Sequence, residues 1–570
     1  MSAIQQLITE HMDIWTAADT TKRSGRGRAS GNAGSVYGVK KLRELILELA
    51  VHGKLVPQDA NDEPASELLK RIQTGKLNAK LKNKDVKFQT SIADEELKAK
   101  LPKGWEWAFI PQAVSNEKYS IKRGPFGSAI KKSYFVSTGY KVYEQQHAIN
   151  DDFSLGNYYL AEDKFNELKV FSVKPNDIII SCSGTVGKVA IAPDWMEPGV
   201  INQALLKLTL NENVLTNSYF KILFPAFYMK TETLSDLKGT AQKNMVSVDE
   251  LKNEPFPLPP LAEQQRIVAK VDELMALCDR LETQHSNAAE AHEKLVSHLL
   301  GTLTQSQSAD DFSANWQRIA VHFDTLFTTE ASIDALKQTL LQLAVMGKLV
   351  PQDANDEPAI ELLEHIQAEK AKLVAEGKTK KEKPLPPINE DEKPFDLPRG
   401  WEWQRLSDTY YSISPKGRQL KGSEIKELGK YPVVDQGQSF ISGYTDLTDL
   451  LIEIPHAIIV FGDHTTNIKL IDFNFVAGAD GTKLLAPILI YPNFYYYYLQ
   501  SYKLENRGYA RHFKVLNNNL IAIPPIAEQQ RIVAKVDELM ALCDQLKTRI
   551  QQVNQQQQKL ADVMVAQVLN

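Results

Sequence analysis

The sequence predicts an α+β chain of two similar halves. Each half carries a mixed α/β head, and long helices that pair as an antiparallel coiled coil join the heads. Three observations predict this. Long stretches of the chain occur twice, the rear segment of each copy opens a sustained apolar heptad, and the unlike blocks inside the repeats share one order of strands and helices.

The duplication is direct. Residues 47–73, LELAVHGKLVPQDANDEPASELLKRIQ, return at 341–367 with 22 of 27 positions identical. LPKGWEW at 101–107 returns as LPRGWEW at 397–403, and PPLAEQQRIVAKVDELMALCDRLE at 259–282 returns at 524–547 with 21 of 24 positions identical. Between these frames lie 108–258 and 404–523, which look almost unrelated. A domain-sized repeat of this kind implies pseudo-twofold symmetry within one chain. Identical frames imply identical jobs, such as packing together or docking two copies of one partner. Unlike blocks in identical frames imply one kind of job on two targets.

The rear frames read as helices. Pro259-Pro260 and Pro524-Pro525 precede a helix but cannot continue one, and Glu263 and Glu528 suit its positive end. A four-three spacing runs through Ile267, Val271, Leu274, Cys278, Leu281, His285, Ala288, His292, Leu295 and Leu299. In the second copy it runs through Ile532, Val536, Leu539, Cys543, Leu546, Ile550, Val553, Gln557, Leu560 and Met564. This is a heptad seam in which His285, His292 and Gln557 are polar breaks that can fix register. At ~1.5 Å per residue, a helix of roughly 40 residues is about 60 Å long, a rigid spacer between the blocks. The front frames, KKLRELILELAVHG and DALKQTLLQLAVMG, read as amphipathic helices closed by Gly53 and Gly347 in left-handed caps.

Both blocks read as α/β. DIIISCSGTVGKVAIAPD and HAIIVFGDHTTNIKLIDF are each strand, polar turn, strand. A further strand follows (QALLKLTL; GTKLLAP), then an aromatic helix (SYFKILFPAFYMK; NFYYYYLQSYKL), then a polar loop opened by Gly239-Thr-Ala or Gly508-Tyr-Ala. The tyrosine run 495–498 reads as a helix packed on a sheet rather than a stacking platform. The chain thus divides into an N-terminal tail and linker (1–35), a helical segment (36–100), a first head (101–258), a central long helix (259–304), a second helical segment (305–396), a second head (397–523) and a C-terminal long helix (524–570).

Composition narrows the classes. Three scattered cysteines among 570 residues argue against a disulfide framework or a zinc site and for a reducing, cytoplasmic setting. No apolar run approaches the ~18 residues of a membrane span, and the N-terminus lacks the features of a secretory signal. Net charge is −5, and the blocks carry 16 Lys/Arg against 16 Asp/Glu and 12 against 11, so neither is a basic blanket. The clusters Lys22, Arg23, Arg26, Arg28 and Lys76, Lys80, Lys82, Lys84, Lys87 read as solvated linker. Catalytic motifs are missing. The Pro-Pro pairs lack a preceding Asp or Asn, SGTVGKVA departs from a phosphate loop in its glycine spacing and ends in Val189, and PDWMEP and GADGTK are only fragments of a nuclease site.

PLPPLAEQQRIV, GKLVPQD and LPxGWEW, arranged twice around variable blocks, resemble type I restriction-modification specificity subunits over residues 36–570. The resemblance implies that the heads are target recognition domains, each reading half of a bipartite, asymmetric site on double-stranded DNA, with coiled-coil length setting the gap. It implies two modification subunits using S-adenosylmethionine and two restriction subunits using ATP and Mg, no cofactor or catalysis in this chain, and no membrane. A scaffold or adaptor without DNA readout is the alternative. Base-contacting residues vary with the target, so candidates come from position and chemistry alone. In the first block they are Lys122, Arg123, Ser128, Lys131, Lys132, Gln145, Gln146, His147, Gln242, Lys243 and Asn244. In the second they are Lys416, Arg418, Gln436, Gln438, His464, Thr465, Arg511, His512 and Lys514.

Overall fold

The computed structural model describes residues 11–17, 36–80, 101–231, 245, 247–307, 309–379, 386–478, 481–502, 504 and 511–569. The candidates Gln242, Lys243 and Asn244, the linker 18–35 and Lys82, Lys84 and Lys87 lie outside these residues. The chain forms two compact units, residues 1–287 with 554–570, and residues 288–553.

In the first unit, the front helix Tyr37–Val51 buries Leu42, Leu45, Ile46 and Leu49. The start of the long helix Leu261–Thr304 lies in the same core through Ile267, Val271, Leu274, Cys278 and Leu281. The end of the other long helix, Ile526–Leu569, joins that core through Ala561 and Met564. Arg43 donates to Asp279 (2.6 Å) and Glu282 (2.9 Å), and the Tyr37 hydroxyl donates to Asp562 (2.8 Å). The second unit repeats the plan in the opposite chain order. The end of the first long helix, Val296, Leu300 and Leu303, shares a core with the front helix Glu330–Val345 and with Cys543, Leu539, Leu546 and Ile550. The long helices therefore run in opposite directions, with a front helix as third member of each bundle.

The heptad reading needs one correction. It holds from Ile267 to Leu281 and from Ile532 to Ile550 but not beyond, since Leu295, Val553 and Leu560 are about half exposed. At the far ends the buried stripes are Val296, Leu300, Leu303 and Ala561, one position on, while Met564 keeps its place in the seam. A straight helix drifts about 20° per heptad from a strict seven-residue repeat, so over this length the packed stripe moves to the next residue. The N-terminal region needs a second correction: the helix Met12–Ala17 is core rather than tail. Trp15 is fully buried against the front helix, so close that a Cβ on Gly38 would stand 2.4 Å from the Trp15 carbonyl oxygen.

The heads share a base ribbon and a main sheet of one topology and differ in the smaller sheet, which among the described residues has five strands in the first head and four in the second. A two-stranded antiparallel ribbon closes each base: Glu106–Phe109 with Pro255–Leu258, and Glu402–Arg405 with Leu520–Ile523. The main antiparallel sheet of the first head runs Ile121–Arg123, Leu205–Leu208, Ile178–Ser181, Val189–Ile191. In the second it runs Tyr410–Ile413, Thr482–Pro487, Ile458–Gly462, Ile468–Ile471. The central strands are buried on both faces, which is why they read as unbroken β-branched runs. The smaller sheet of the first head holds the parallel pair Tyr140–Tyr143 with Gly199–Ile201, matched in the second by Tyr431–Val434 with Val476–Gly478, which there also pairs in parallel with Gln419–Leu420. The aromatic helices Asn217–Ala226 and Pro492–Ser501 pack as expected, burying Tyr219, Phe220 and Phe224 in one and Phe494, Tyr495 and Tyr498 in the other.

The repeated motifs form one joint in each unit. Glu263, 1% exposed, sits in the first turn of its long helix. It accepts hydrogen bonds from the Trp105 indole Nε1 (3.0 Å) and from Gln58 Nε2 (3.2 Å). Gln264 Oε1 accepts from the Thr216 amide (2.9 Å), and Arg266 forks onto Asp62 (3.2 and 2.5 Å). In the second unit Glu528 accepts from Trp401 (2.9 Å) and Gln352 (3.2 Å), Gln529 from the Tyr491 amide (2.9 Å), and Arg531 forks onto Asp356 (3.3 and 2.5 Å). Gly53 and Gly347 are left-handed (φ +66° and +67°), and a Cβ there would meet Pro102 at 2.5 Å and Pro398 at 2.4 Å. Burial pushes the Glu263 carboxyl above the usual carboxylate range; the bonds from Gln58 and Trp105 and the charge of Arg266 oppose the shift.

Glu263→Ala strands two buried donors, so urea denaturation followed by circular dichroism is expected to show a loss of about 2–4 kcal/mol. A carboxyl whose folded pKa is raised stabilises fully only below its unfolded pKa, and that contribution is lost as pH rises through the folded value. Glu263→Gln is therefore expected to gain stability relative to the natural chain as pH rises from 5 to 7 in the same assay.

Candidate nucleic-acid interface

Each head has a polar cleft where the main sheet meets the segment after the parallel strand of the smaller sheet. In the first head the segment after Tyr140–Tyr143 supplies Glu144 and, from the start of the short helix Gln145–Asn150, Gln145 and Gln146. The edge strand adds Arg123, and the turn before Leu205 adds Asn202, Gln203 and Ala204. Tyr158 and Ser183 complete a cleft of about 670 Å³. In the second head the equivalent loop, after Tyr431–Val434, supplies Gln436. Lys416, Gln419, Asp463, His464, Lys483 and Arg511 surround it in a cleft of about 700 Å³.

The clefts differ in chemistry. Amides dominate the first, where Arg123 and Glu144 are the charged side chains. Gln145 Oε1 is buried there without a hydrogen-bond partner among the described residues. Three cations, Lys416, Lys483 and Arg511, face one carboxylate, Asp463, in the second. Asp463 caps the helix Phe513–Asn517 by accepting from the Phe513 amide (2.8 Å), which leaves its second oxygen 3.9 Å from Lys483 Nζ.

The loops are braced from behind. The Gln436 carbonyl accepts from Thr465 Oγ1 (2.5 Å) and Asn467 Nδ2 (2.9 Å), and the Gln436 side chain accepts from the His464 amide (3.1 Å). Buried Lys469 donates to the carbonyls of Asp435 (2.8 Å) and Ser439 (2.5 Å), and burial lowers its pKa. In the first head His147 has this bracing role. It is 0% exposed, its Nδ1 lies 2.9 Å from the Glu144 amide and its Nε2 2.7 Å from the Leu155 carbonyl.

Of the sequence candidates, Arg123, Gln145 and Gln146 meet in the first cleft, and Lys416, Gln436, His464 and Arg511 in the second. His147 and His512 are corrections. His512 is 2% exposed with Nδ1 at 3.0 Å from the Asp463 carbonyl, so both imidazoles shape loops and present no edge to a ligand. Thr465 likewise faces the Gln436 backbone. Lys122 points to the opposite side of its strand from Arg123, over the rings of Tyr119 (5.2 Å) and Phe171 (4.9 Å). Ser128, Lys131, Lys132, Gln438 and Lys514 are exposed, and Arg418 half-buried, outside the cleft linings. Sequence reasoning missed Asn202, Gln203, Gln419 and Lys483, which read there as strand and turn residues.

Among the described residues no group of three or more His, Cys, Asp or Glu could hold a metal ion. No described helix is long and apolar enough to cross a membrane. Cys182, behind the first cleft, is pushed up to about 12 by burial, which keeps it a thiol.

Two like heads, each with its own polar cleft and each keyed by the same contacts to a front helix and a long helix, define a duplicated two-domain protein. The family model for the type I restriction modification DNA specificity domain matches residues 127–291 and again 398–555. The type I restriction enzyme EcoAI specificity subunit of Escherichia coli is 38% identical over the full length of both chains, and the EcoEI specificity subunit of the same organism 37%. The crystal structure of the HsdS subunit from Thermoanaerobacter tengcongensis aligns over 98% of its chain at 18% identity with a TM-score of 0.37. The chain belongs to the type I restriction-modification specificity subunits, with two target recognition domains.

Because Lys469 bridges two carbonyls, Lys469→Met is expected to lower hydrogen-exchange protection at 435–439 while strand Ile458–Gly462 keeps its protection. Unchanged exchange in the loop would remove the bracing role.

Proposed function

We propose that the chain is the non-catalytic reader of its complex, a cytoplasmic protein that binds double-stranded DNA through the two clefts. The heads, residues 101–258 and 397–523, each take half of a bipartite, asymmetric site. The observation that carries this is the pair of clefts. They stand at equivalent places against the main sheets of the two heads and differ in the side chains that tell bases apart. Amide side chains suit adenine edges and Arg or Lys suits guanine O6 and N7, so unlike clefts read unlike half-sites. Half-sites about one helical turn apart present on one face of the duplex, and the paired long helices set that gap.

The front and long helices, alike in both units, dock two modification subunits that methylate adenine with S-adenosylmethionine. Two restriction subunits supply ATP- and Mg-dependent translocation and cleavage. The small net charge of each head leaves much of the phosphate attraction to these partners. A bare scaffold has no use for two differently lined clefts.

The test is to replace residues 108–258 with the corresponding block of another specificity subunit and sequence the methylated adenines. One half of the methylated site is expected to change and the other to stay; no change would support the scaffold. In the assembled complex, Gln203→Ala and Arg511→Ala are each expected to weaken cognate binding by about 1–3 kcal/mol. Each relaxes one base position while nonspecific binding is unchanged, as measured by competition at fixed salt.

A further inference from the structure

We infer that Phe126 is the base-stacking residue of the first recognition domain, a wedge that inserts at a base step beside the half-site read by that head. This rests on the reading of the adjacent cleft as the DNA-facing side.

Phe126 is 90% exposed, the most exposed large hydrophobic side chain among the described residues. No described residue of its own head covers the ring, although core hydrophobics lie within a few residues. The loop that carries it is built to hold it out. Gly124 leaves the sheet with its amide bonded to the Leu205 carbonyl (2.9 Å), and it packs so closely that a Cβ would stand 1.8 Å from the Asn202 carbonyl oxygen. Pro125 fixes the next φ. The Phe126 carbonyl then accepts from the Ala129 amide (2.8 Å), closing the turn Gly127–Ala129. The ring is thus presented on a hydrogen-bonded, proline-stiffened turn rather than a slack loop, which lowers the ordering cost on binding.

The surroundings select the occupant. Asn202 and Arg123, either side of Gly124, line the first cleft, and Lys131 and Lys132 are exposed just beyond the turn. An apolar ring among cations and amides matches a nucleic acid, whose bases offer apolar faces behind a phosphate rim. The second head gives independent support. There the edge strand Tyr410–Ile413 is followed by Ser414-Pro415-Lys416-Gly417, the counterpart of Gly124-Pro125-Phe126-Gly127. The residue at the place of Phe126 is Lys416, and it lines the second cleft. The same loop position lines the cleft as a cation in the second head and stands exposed just beyond the cleft-lining Arg123 as an aromatic ring in the first. Insertion is easiest at flexible pyrimidine–purine steps, so the first head favours such a step where the wedge enters, without a hydrogen bond to it.

The experiment uses the complex with its modification subunits and duplexes carrying the site found by methylome sequencing. 2-Aminopurine is placed at successive positions around the first half-site, away from the methylated adenine. Phe126→Ala is expected to weaken cognate binding about 5- to 150-fold and to abolish a fluorescence rise seen at one step with the natural chain. Nonspecific binding and the salt slope stay unchanged, and Phe126→Trp restores both signals. Cognate affinity of Phe126→Ala equal to that of the natural chain overturns the inference. So does a variant that sheds a modification subunit while its assembled complexes bind normally, since a protein would then be the occupant. Gln203→Ala separates the two readings. If it weakens binding and Phe126→Ala does not, the wedge alone is wrong; if neither does, the cleft is not the DNA face.

Discussion

A buried carboxylate at the start of each long helix holds the rest of the structure in place. Glu263 and Glu528 are nearly inaccessible, and an ionised carboxylate in such a place is costly unless it is paired and hydrogen-bonded. Here the cost is offset several ways. The helix N-terminus presents positive potential, an indole N–H and an amide N–H donate to the carboxylate, and an arginine one turn on is forked to an aspartate. The partners of Glu263 come from residues 58 and 105, so one side chain binds the front segment, the base of the head and the long helix together. The second unit repeats these bonds to within about 0.1 Å. Each head is therefore keyed to its helix by the same lock.

That lock explains how two heads in one chain can diverge so far. Their loops are free to change because orientation depends on the base ribbon, the helix start and the glycine-closed front helix, none of which belongs to a cleft. It also explains why net charge was a poor guide to binding. Many cations of the first head are engaged internally: Lys141 with Glu197, Lys207 with Asp177, Lys174 with Glu117, Lys221 with Asp151. A count of lysines cannot separate these from Arg123, which opens into the cleft. In the second head Lys469 is structural while Lys416 and Arg511 line the surface.

The legible parts of the sequence were those set by local periodicity and backbone chemistry. Glycine caps at Gly53 and Gly347, buried strands such as Ile178–Ser181, and helices opened by a proline pair depend on neighbours a few residues away. The function of the motifs was not legible in the same way. Trp105 and Glu263 are 158 positions apart, and a sequence shows their repetition without their hydrogen bond. The far half of the heptad misled because a 3.6-residue helix cannot keep a 3.5-residue seam straight. His147 and His512 misled because an imidazole suits a base edge and a buried carbonyl equally. Gln203 and Lys483 were hidden because they sit at the ends of strands whose pattern marks them as sheet.

On the proposed reading, bracing behind the clefts bears on specificity. A reader rejects a wrong base when a donor or acceptor is left unpaired, and the penalty is collected only if the loop cannot shift to find another partner. Gln436 is held by three bonds to its own backbone and side chain, and His147 ties the Glu144 turn to the Leu155 carbonyl at both ring nitrogens. Gln145, whose buried oxygen has no protein partner among the described residues, sits in the turn that His147 pins. An acceptor kept unsatisfied by a rigid turn is poor for the stability of the free protein and well suited to a ligand that brings a donor. On the proposed reading, the incomplete hydrogen-bond set of Gln145 thus lies where discrimination is needed.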